Sequence, residues 1–166
     1  GLADLQATGT ELVRPHFLAL LGETLREAGQ VEEGLRVLEE ALELAHRNGE
    51  GSYLAELYRI NGELLLMQAT GPGLSRAAQR GKAVVEPDPP VLAQAEGCFN
   101  QSIKIAQQQK ANSLELRAAM SMARLYQRQS KPGEARRLLT QTYGRFNEGF
   151  DTVDLCEAKA LLDELS

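Results

Sequence analysis

A pattern of small and large residues returns along this chain at a fixed offset of forty. Gly22 lies forty residues before Gly62, and Ala95 lies forty before Ala135. Gly34 and Ala95 are separated by sixty-one, which is one period plus an insertion of twenty-one. A repeat of roughly 20–50 residues is typical of stacked helical arrays, in which each unit buries its apolar face on the next. The repeat therefore predicts duplicated helical units.

Within each unit, apolar residues recur every three or four positions, the spacing of one face of a helix. No alternation typical of a strand persists. The predicted helices span 13–28 and 31–48, 51–69 and 90–109, 112–129 and 132–147, with a last helix at 152–165. Residues 2–8 resemble the end of a further helix, because residues 5–9 align with residues 45–49 at the same offset.

Residues that begin or end helices agree with these boundaries. Gly29 and Gly49 stand where helices should end, since glycine readily takes the left-handed closing conformation. Pro132 suits a helix start, where its missing N–H costs nothing. Asn112-Ser113 and Asp151-Thr152 are predicted N-caps.

The insertion covers about residues 70–90 and reads TGPGLSRAAQRGKAVVEPDPP. Its prolines and glycines predict a loop that joins the two helices of the second pair. One interpretation is a tolerated surface excursion. The other is a short docking element whose charges are Arg76, Arg80 and Lys82.

Composition excludes several function classes. The 166 residues carry a net charge of -5, whereas nucleic-acid binders and proteins that dock on anionic membranes normally present a basic face. No apolar run approaches the roughly 20 residues of a membrane span. We therefore expect neither nucleic acid nor membrane as a partner. Gly1 replaces an initiator Met and no signal peptide is recognisable, so we expect a piece of a longer protein.

Cys98 and Cys156 are the only cysteines, and both lie among apolar helical residues. We predict that both are buried and that the compartment is reducing, which favours a cytoplasmic protein.

The sequence offers no catalytic, cofactor or metal site. Residues 73–83 superficially resemble a phosphate-binding loop, but Arg76 and Ala83 replace the required Gly and Ser or Thr. His16 and His46 are thirty residues apart on different predicted helices, without the close ligand spacing of a metal site. We expect a protein that is not an enzyme and holds no cofactor.

With no catalytic, cofactor or metal site predicted, the candidate functional feature is a binding surface. In stacked helix pairs the first helix of each pair lines the concave side. Counting along the repeat, the residues predicted to face that groove are His16, Glu23, Arg26, Glu56, Arg59, Glu63, Arg117, Met120, Arg124 and Arg128.

Two interpretations of these residues stay open. They form either a solvated face with intrahelical pairs, such as Glu56–Arg59 and Arg59–Glu63, or a partly cationic groove that grips an acidic peptide or carboxylate. On the second interpretation, mutating Arg59, Arg117 and Arg124 together should abolish partner binding and leave the melting temperature nearly unchanged.

The spacing resembles the tetratricopeptide repeat (TPR). The residues that carry this resemblance in the first unit are Leu18, Leu21, Gly22, Leu25, Gly34, Leu38 and Ala41. The resemblance implies an all-α, right-handed TPR-like α-solenoid over residues 1–166, with about three antiparallel helix pairs and a C-terminal capping helix. The period is forty instead of about 34, and His46 and Asn147 replace the usual closing proline.

A closer likeness covers nearly the whole chain. Phrases such as GTELVRPHFLALLGETLREAGQ and SLELRAAMSMARLYQRQ resemble the C-terminal repeats of large bacterial signalling ATPases of the maltose-regulator type, some of which carry a class III nucleotide cyclase domain. This implies a non-catalytic scaffold for protein–protein interaction, whose partner is a protein, a peptide or another domain of its parent. The alternative is a sensor region that binds a small effector in its concave face and regulates an N-terminal ATPase or cyclase.

Overall fold

The computed structural model describes residues 2–49, 51–70 and 88–166, and every regular element in these ranges is an α-helix. The helices are α1 (Leu2–Glu27), α2 (Val31–Asn48), α3 (Leu54–Ala69), α4 (Pro89–Gln108), α5 (Asn112–Arg128), α6 (Pro132–Tyr143) and α7 (Val153–Glu164). The all-α prediction is confirmed for these residues. Nearly all of the predicted insertion, including Arg76, Arg80 and Lys82, lies outside them. None of the helices described is long and apolar enough to cross a membrane.

The helices contact one another in a regular order. Each helix packs on the next in sequence, and the odd-numbered helices also contact each other in the series α1–α3, α3–α5 and α5–α7. Among the residues described, no two even-numbered helices approach each other as closely along their backbones, although Leu138 of α6 packs against an apolar cluster that includes Phe99 of α4. The odd-numbered helices therefore form one layer, and α2, α4 and α6 pack against one side of it.

Two glycines forty residues apart have the same packing role. A Cβ atom on Gly22 would lie 2.7 Å from Cδ2 of Leu38, and one on Gly62 would lie 2.6 Å from Cε1 of Phe99. Leu38 and Phe99 are both fully buried. In each pair a large side chain of the second helix fills the space that glycine leaves in the first. The offset read from the sequence thus corresponds to equivalent positions in space.

The predicted helix ends are largely correct. Gly29 and Gly49 have φ values of +72° and +66°, and Pro132 begins α6. Thr152 takes the N-cap position of α7 in an extended conformation, although its side chain makes no capping hydrogen bond. The N-cap predicted at Asn112-Ser113 is wrong, because Ala111 occupies that position and Asn112 is already helical.

Other boundaries differ from prediction. The prediction of separate helices at 2–8 and from 13 is wrong, because α1 runs without a break from Leu2 through Pro15 to Glu27. An interior proline removes a helical hydrogen bond and costs about 3 kcal/mol, and the burial of the Pro15 ring offsets part of that cost. The sixth helix ends at Tyr143 and not at 147.

The cysteines are less buried than predicted. Cys98 is half-buried and Cys156 is exposed, which contradicts the expectation that both are core residues. The buried face of α7 is formed by Leu155, Ala158 and Leu161. Cys156 follows Leu155 directly, and one residue turns a helix by about 100°, so its side chain leaves that face.

Candidate binding groove

The exposed side of the odd-numbered layer contains a groove of about 580 Å³, to which α1, α3, α5 and α7 all contribute side chains. Eight of the ten residues predicted to face a groove line it, namely Glu23, Arg26, Arg59, Glu63, Arg117, Met120, Arg124 and Arg128. The structure therefore brings together residues from three repeat units that lie far apart in sequence.

The other two predicted residues lie elsewhere. The His16 ring packs against the rings of Tyr53 and Phe17, with centroids 4.6 Å and 5.9 Å away. Glu56 does not line the groove but joins two residues that do, through ion pairs with Arg59 at 2.7 Å and Arg117 at 2.8 Å.

Arg59 is the centre of an ion-pair network and is only 4% exposed. Its Nη1 donates to Oε1 of Glu63 at 2.8 Å, and its Nη2 donates to Oε1 of Glu56 at 2.7 Å. Nη2 also lies 3.5 Å from Oε2 of Glu23 on α1. Burial alone would lower the pKa of Arg59, but the hydrogen bond with Glu56 and the surrounding carboxylates outweigh it and raise the pKa. Arg59 is therefore a buried charge that three carboxylates compensate.

The predicted intrahelical pairs Glu56–Arg59 and Arg59–Glu63 are confirmed. The solvated setting assumed for them is wrong, because the side chain of Arg59 is buried between helices. For the same reason the expectation that Arg59, Arg117 and Arg124 can be replaced together without a change in melting conflicts with the structure. Removing Arg59 would take one of two cationic partners from each of Glu23, Glu56 and Glu63 at a largely buried site.

Further contacts extend the network from helix to helix. Arg26 on α1 donates to both carboxylate oxygens of Glu23 at 3.0 Å, and its Nε lies 3.1 Å from Oε2 of Glu63 on α3. Ser121 on α5 donates its hydroxyl to Oε1 of Glu63 at 2.6 Å. Glu63 thus accepts contacts from three helices and connects α1, α3 and α5.

Glu23 shows how the surroundings act on a carboxylate. Burial would raise the pKa of Glu23, but the hydrogen bond from Arg26 and the positive charges of Arg59, Arg26 and Arg117 lower it below its ordinary value. Glu23 is therefore held in its charged form.

The α5–α7 side of the groove is more open. Arg124 is 46% exposed, and its Nη2 lies 3.6 Å from Oε2 of Glu157. Arg117 approaches Asp154 at 3.9 Å. Arg128 is exposed, and within the described part of the chain it makes no ion pair. This side of the groove presents cationic groups that solvent can reach.

The groove as a whole is not cationic. Five arginines and five carboxylates line it among the residues that the structure describes. Two of these carboxylates, Asp154 and Glu157, are on α7 and were missed by the sequence prediction, which stopped at the third unit. Glu157 lies forty residues after Arg117, so the same offset applied to the last helix would have identified it.

The groove contains neither cysteine nor histidine among its described lining residues. His46 shares a hydrogen bond with the Tyr58 hydroxyl at 3.2 Å on the other side of the layer. Burial raises the pKa of the Cys98 thiol, and a hydrogen bond from Asn61 at 3.5 Å offsets this in part. Across residues 2–49, 51–70 and 88–166, no cluster of three His, Cys, Asp or Glu residues is placed to hold a metal ion.

No family model and no curated protein sequence matches this chain. The functional interpretation therefore depends on the geometry of the groove.

Proposed function

We propose that the chain is a TPR-like α-solenoid whose odd-numbered helices form a concave binding surface. The serial contacts α1–α3, α3–α5 and α5–α7 support this proposal, since stacked helix pairs place their first helices side by side. The matched packing of Gly22 on Leu38 and of Gly62 on Phe99 supports it too, because it repeats the same small–large contact in successive pairs.

On this proposal the chain is a non-catalytic scaffold that binds a polypeptide segment in the groove. The observation that carries it is the division of the groove's charges. Arg59 is buried and paired with carboxylates of the chain itself, whereas Arg124 and Arg128 on α5 remain exposed. Exposed arginines suit the carboxylates of an acidic segment, because the planar guanidinium can donate two parallel hydrogen bonds. The rigid network beneath them keeps the surface preformed, so little ordering opposes binding.

A second candidate is a sensor region that binds a small effector. Pockets for small ligands are mostly apolar with a few convergent polar groups. Ten charged side chains line this groove, and Leu66, Met67, Met120 and Val153 are its apolar members. This charged character favours an extended polypeptide over a small apolar ligand. An anionic effector held by the α5 arginines is the form of the alternative that fits best.

We also propose, from the resemblance of the repeat sequences, that the chain belongs to a bacterial signalling ATPase in the cytoplasm. In that setting the groove would bind either a separate protein or another domain of the parent. On this proposal the ATPase chemistry would reside in other parts of the parent protein.

The test uses peptides as the probe. Peptides selected on the immobilised chain from a random-sequence display library are labelled, and their binding is measured by fluorescence anisotropy. We expect acidic peptides to be enriched, and Arg124→Glu/Arg128→Glu to weaken their binding at least about tenfold, or about 1.4 kcal/mol.

The matched control is Arg47→Glu/Arg136→Glu. It makes the same change in net charge at two exposed arginines on α2 and α6, away from the groove. Both variants should keep the helicity and melting temperature of the wild type. Failure to enrich any peptide, or equal weakening by the control, would contradict the proposal. Binding of small carboxylates without peptides would favour the effector alternative.

A further inference from the structure

The first helix exposes large apolar side chains on the side away from the rest of the molecule. Phe17 is 64% exposed, Leu20 is 53% exposed and Leu21 is 44% exposed. Thr24, one turn further along, is exposed as well. Single exposed apolar residues are ordinary on protein surfaces, but a contiguous group on one helix is not.

The repeat shows what such positions do in the next unit. Phe17, Leu20 and Thr24 correspond at the offset of forty to Leu57, Ile60 and Leu64 on α3. These three α3 residues are at most 1% exposed. They belong to the apolar cluster formed with α1 and α2, so the preceding helix pair buries them. Leu64 also occupies the space above Gly34, where a Cβ atom would lie 2.9 Å from its Cδ1.

The third unit repeats this arrangement. The equivalent residues on α5 are Ala118, Ser121 and Leu125, all at most 3% exposed. Leu125 packs in a cluster with residues of α3 and α4. Ser121 reaches back to α3 through its hydrogen bond to Glu63.

The last helix repeats it once more. Ala158, Leu161 and Leu165 are the equivalents at the offset of forty from α5, and they are at most 9% exposed. They pack in a cluster with residues of α5 and α6. In three successive units, therefore, this face of the first helix is covered by the preceding helix pair.

We propose that the face of α1 formed by Phe17, Leu20 and Leu21 binds a further helix pair that continues the same layer. The occupant is a preceding unit of the same repeat, with a second helix that presents an apolar stripe to α1. The contact would extend the established interface series α1–α3, α3–α5 and α5–α7 by one member.

Continuity with the established interfaces selects this occupant. On α3, α5 and α7 the equivalent residues are covered by the helix pair that comes before them. A second copy of the chain is the competing occupant, and the dependence of labelling on protein concentration distinguishes the two.

Cysteine labelling tests the proposal on the protein that the natural gene encodes. Leu20→Cys places a thiol at the centre of the face, and the exposed native Cys156 serves as an internal reference in the same molecule. Labelling by a maleimide is followed at each site by peptide mass spectrometry. In the 166-residue chain we expect the introduced thiol and Cys156 to react at similar rates. In the natural polypeptide we expect the introduced thiol to react at least about tenfold more slowly, as for a site that labels only after local opening. Phe17→Cys probes the same face a second time.

Two results would overturn the proposal. The first is equal labelling of the introduced thiol and Cys156 in the natural polypeptide, for both the Leu20→Cys and the Phe17→Cys variants. The second is protection that disappears when the protein is diluted, which would assign the face to a second copy of the chain.

Discussion

The two sides of the groove carry the same kinds of residue but in opposite physical states. On the α1–α3 side, Arg59 is 4% exposed and is paired with three carboxylates at 2.7–3.5 Å. On the α5–α7 side, Arg124 is 46% exposed and has one carboxylate at 3.6 Å. The first arrangement joins helices together and the second leaves a charge available to a partner. An arginine on a groove-facing helix is therefore either paired within the fold or exposed to solvent, according to how many carboxylates its neighbours supply.

The strongest challenge to this comparison is Arg59→Ala. We expect a loss of about 3 kcal/mol in the free energy of unfolding, because Glu23, Glu56 and Glu63 each lose one of two cationic partners at a largely buried site, while Arg26 and Arg117 remain. Denaturant unfolding measures the loss, and Arg124→Ala is the matched control on the open side. Arg59→Lys should recover only part of the loss, since a lysine cannot donate the forked hydrogen bonds. Equal effects of Arg59→Ala and Arg124→Ala would refute the division into two sides.

A smaller effect is expected from Ser121→Ala. The Ser121 hydroxyl is buried and donates to Glu63 at 2.6 Å, which links α5 to the α1–α3 side. Removing the hydroxyl takes one hydrogen-bond donor from Oε1 of Glu63 and should lower the free energy of unfolding by about 1–3 kcal/mol. The same unfolding measurement applies, with Ser113→Ala on the exposed start of α5 as the control. If the two variants are equally stable, the two sides are not coupled through this bond.

Acid should weaken the α1–α3 side through Glu23. Its pKa in the folded chain lies below the ordinary value of 4.5, so the stability it contributes is fully present above that pH. This contribution is lost as the pH falls through the lowered pKa. We expect Glu23→Gln to be less stable than the wild type at neutral pH, and the difference to shrink as the pH drops below about 4.5. Denaturant unfolding over a pH series measures this, and a difference independent of pH would exclude the ionised carboxylate as the cause.

The smallest effect belongs to Arg124 itself. Because its pair with Glu157 is exposed and long, Arg124→Ala should change the free energy of unfolding by less than about 1 kcal/mol. Adding salt should reduce even that difference, since exposed pairs are screened. A loss similar to that of Arg59→Ala would mean that the α5–α7 side is also structural and would remove the reason to treat its arginines as available for binding.

Much of the lining of the groove could be located from the sequence, because repeat register determines which side of a helix a residue occupies. Eight of the ten predicted residues line the groove for this reason. His16 shows the limit of that reasoning. Its position in the repeat is that of a groove-facing residue, but its ring packs against the rings of Tyr53 and Phe17 and does not line the groove. Asp154 and Glu157 lie on the last helix, which the groove prediction does not include.

The sequence by itself determined the helical character of the chain, most helix ends and the small–large packing within each pair. These follow from local spacing, from glycine at Gly29 and Gly49, and from the offset of forty. Only the tertiary structure decided which charges are free. The number of carboxylates around Arg59 and around Arg124 depends on how side chains of separate helices converge, and no spacing along one helix contains that information. The same holds for Phe17 and Leu20, whose exposure depends on what packs against α1 and not on their own residue types.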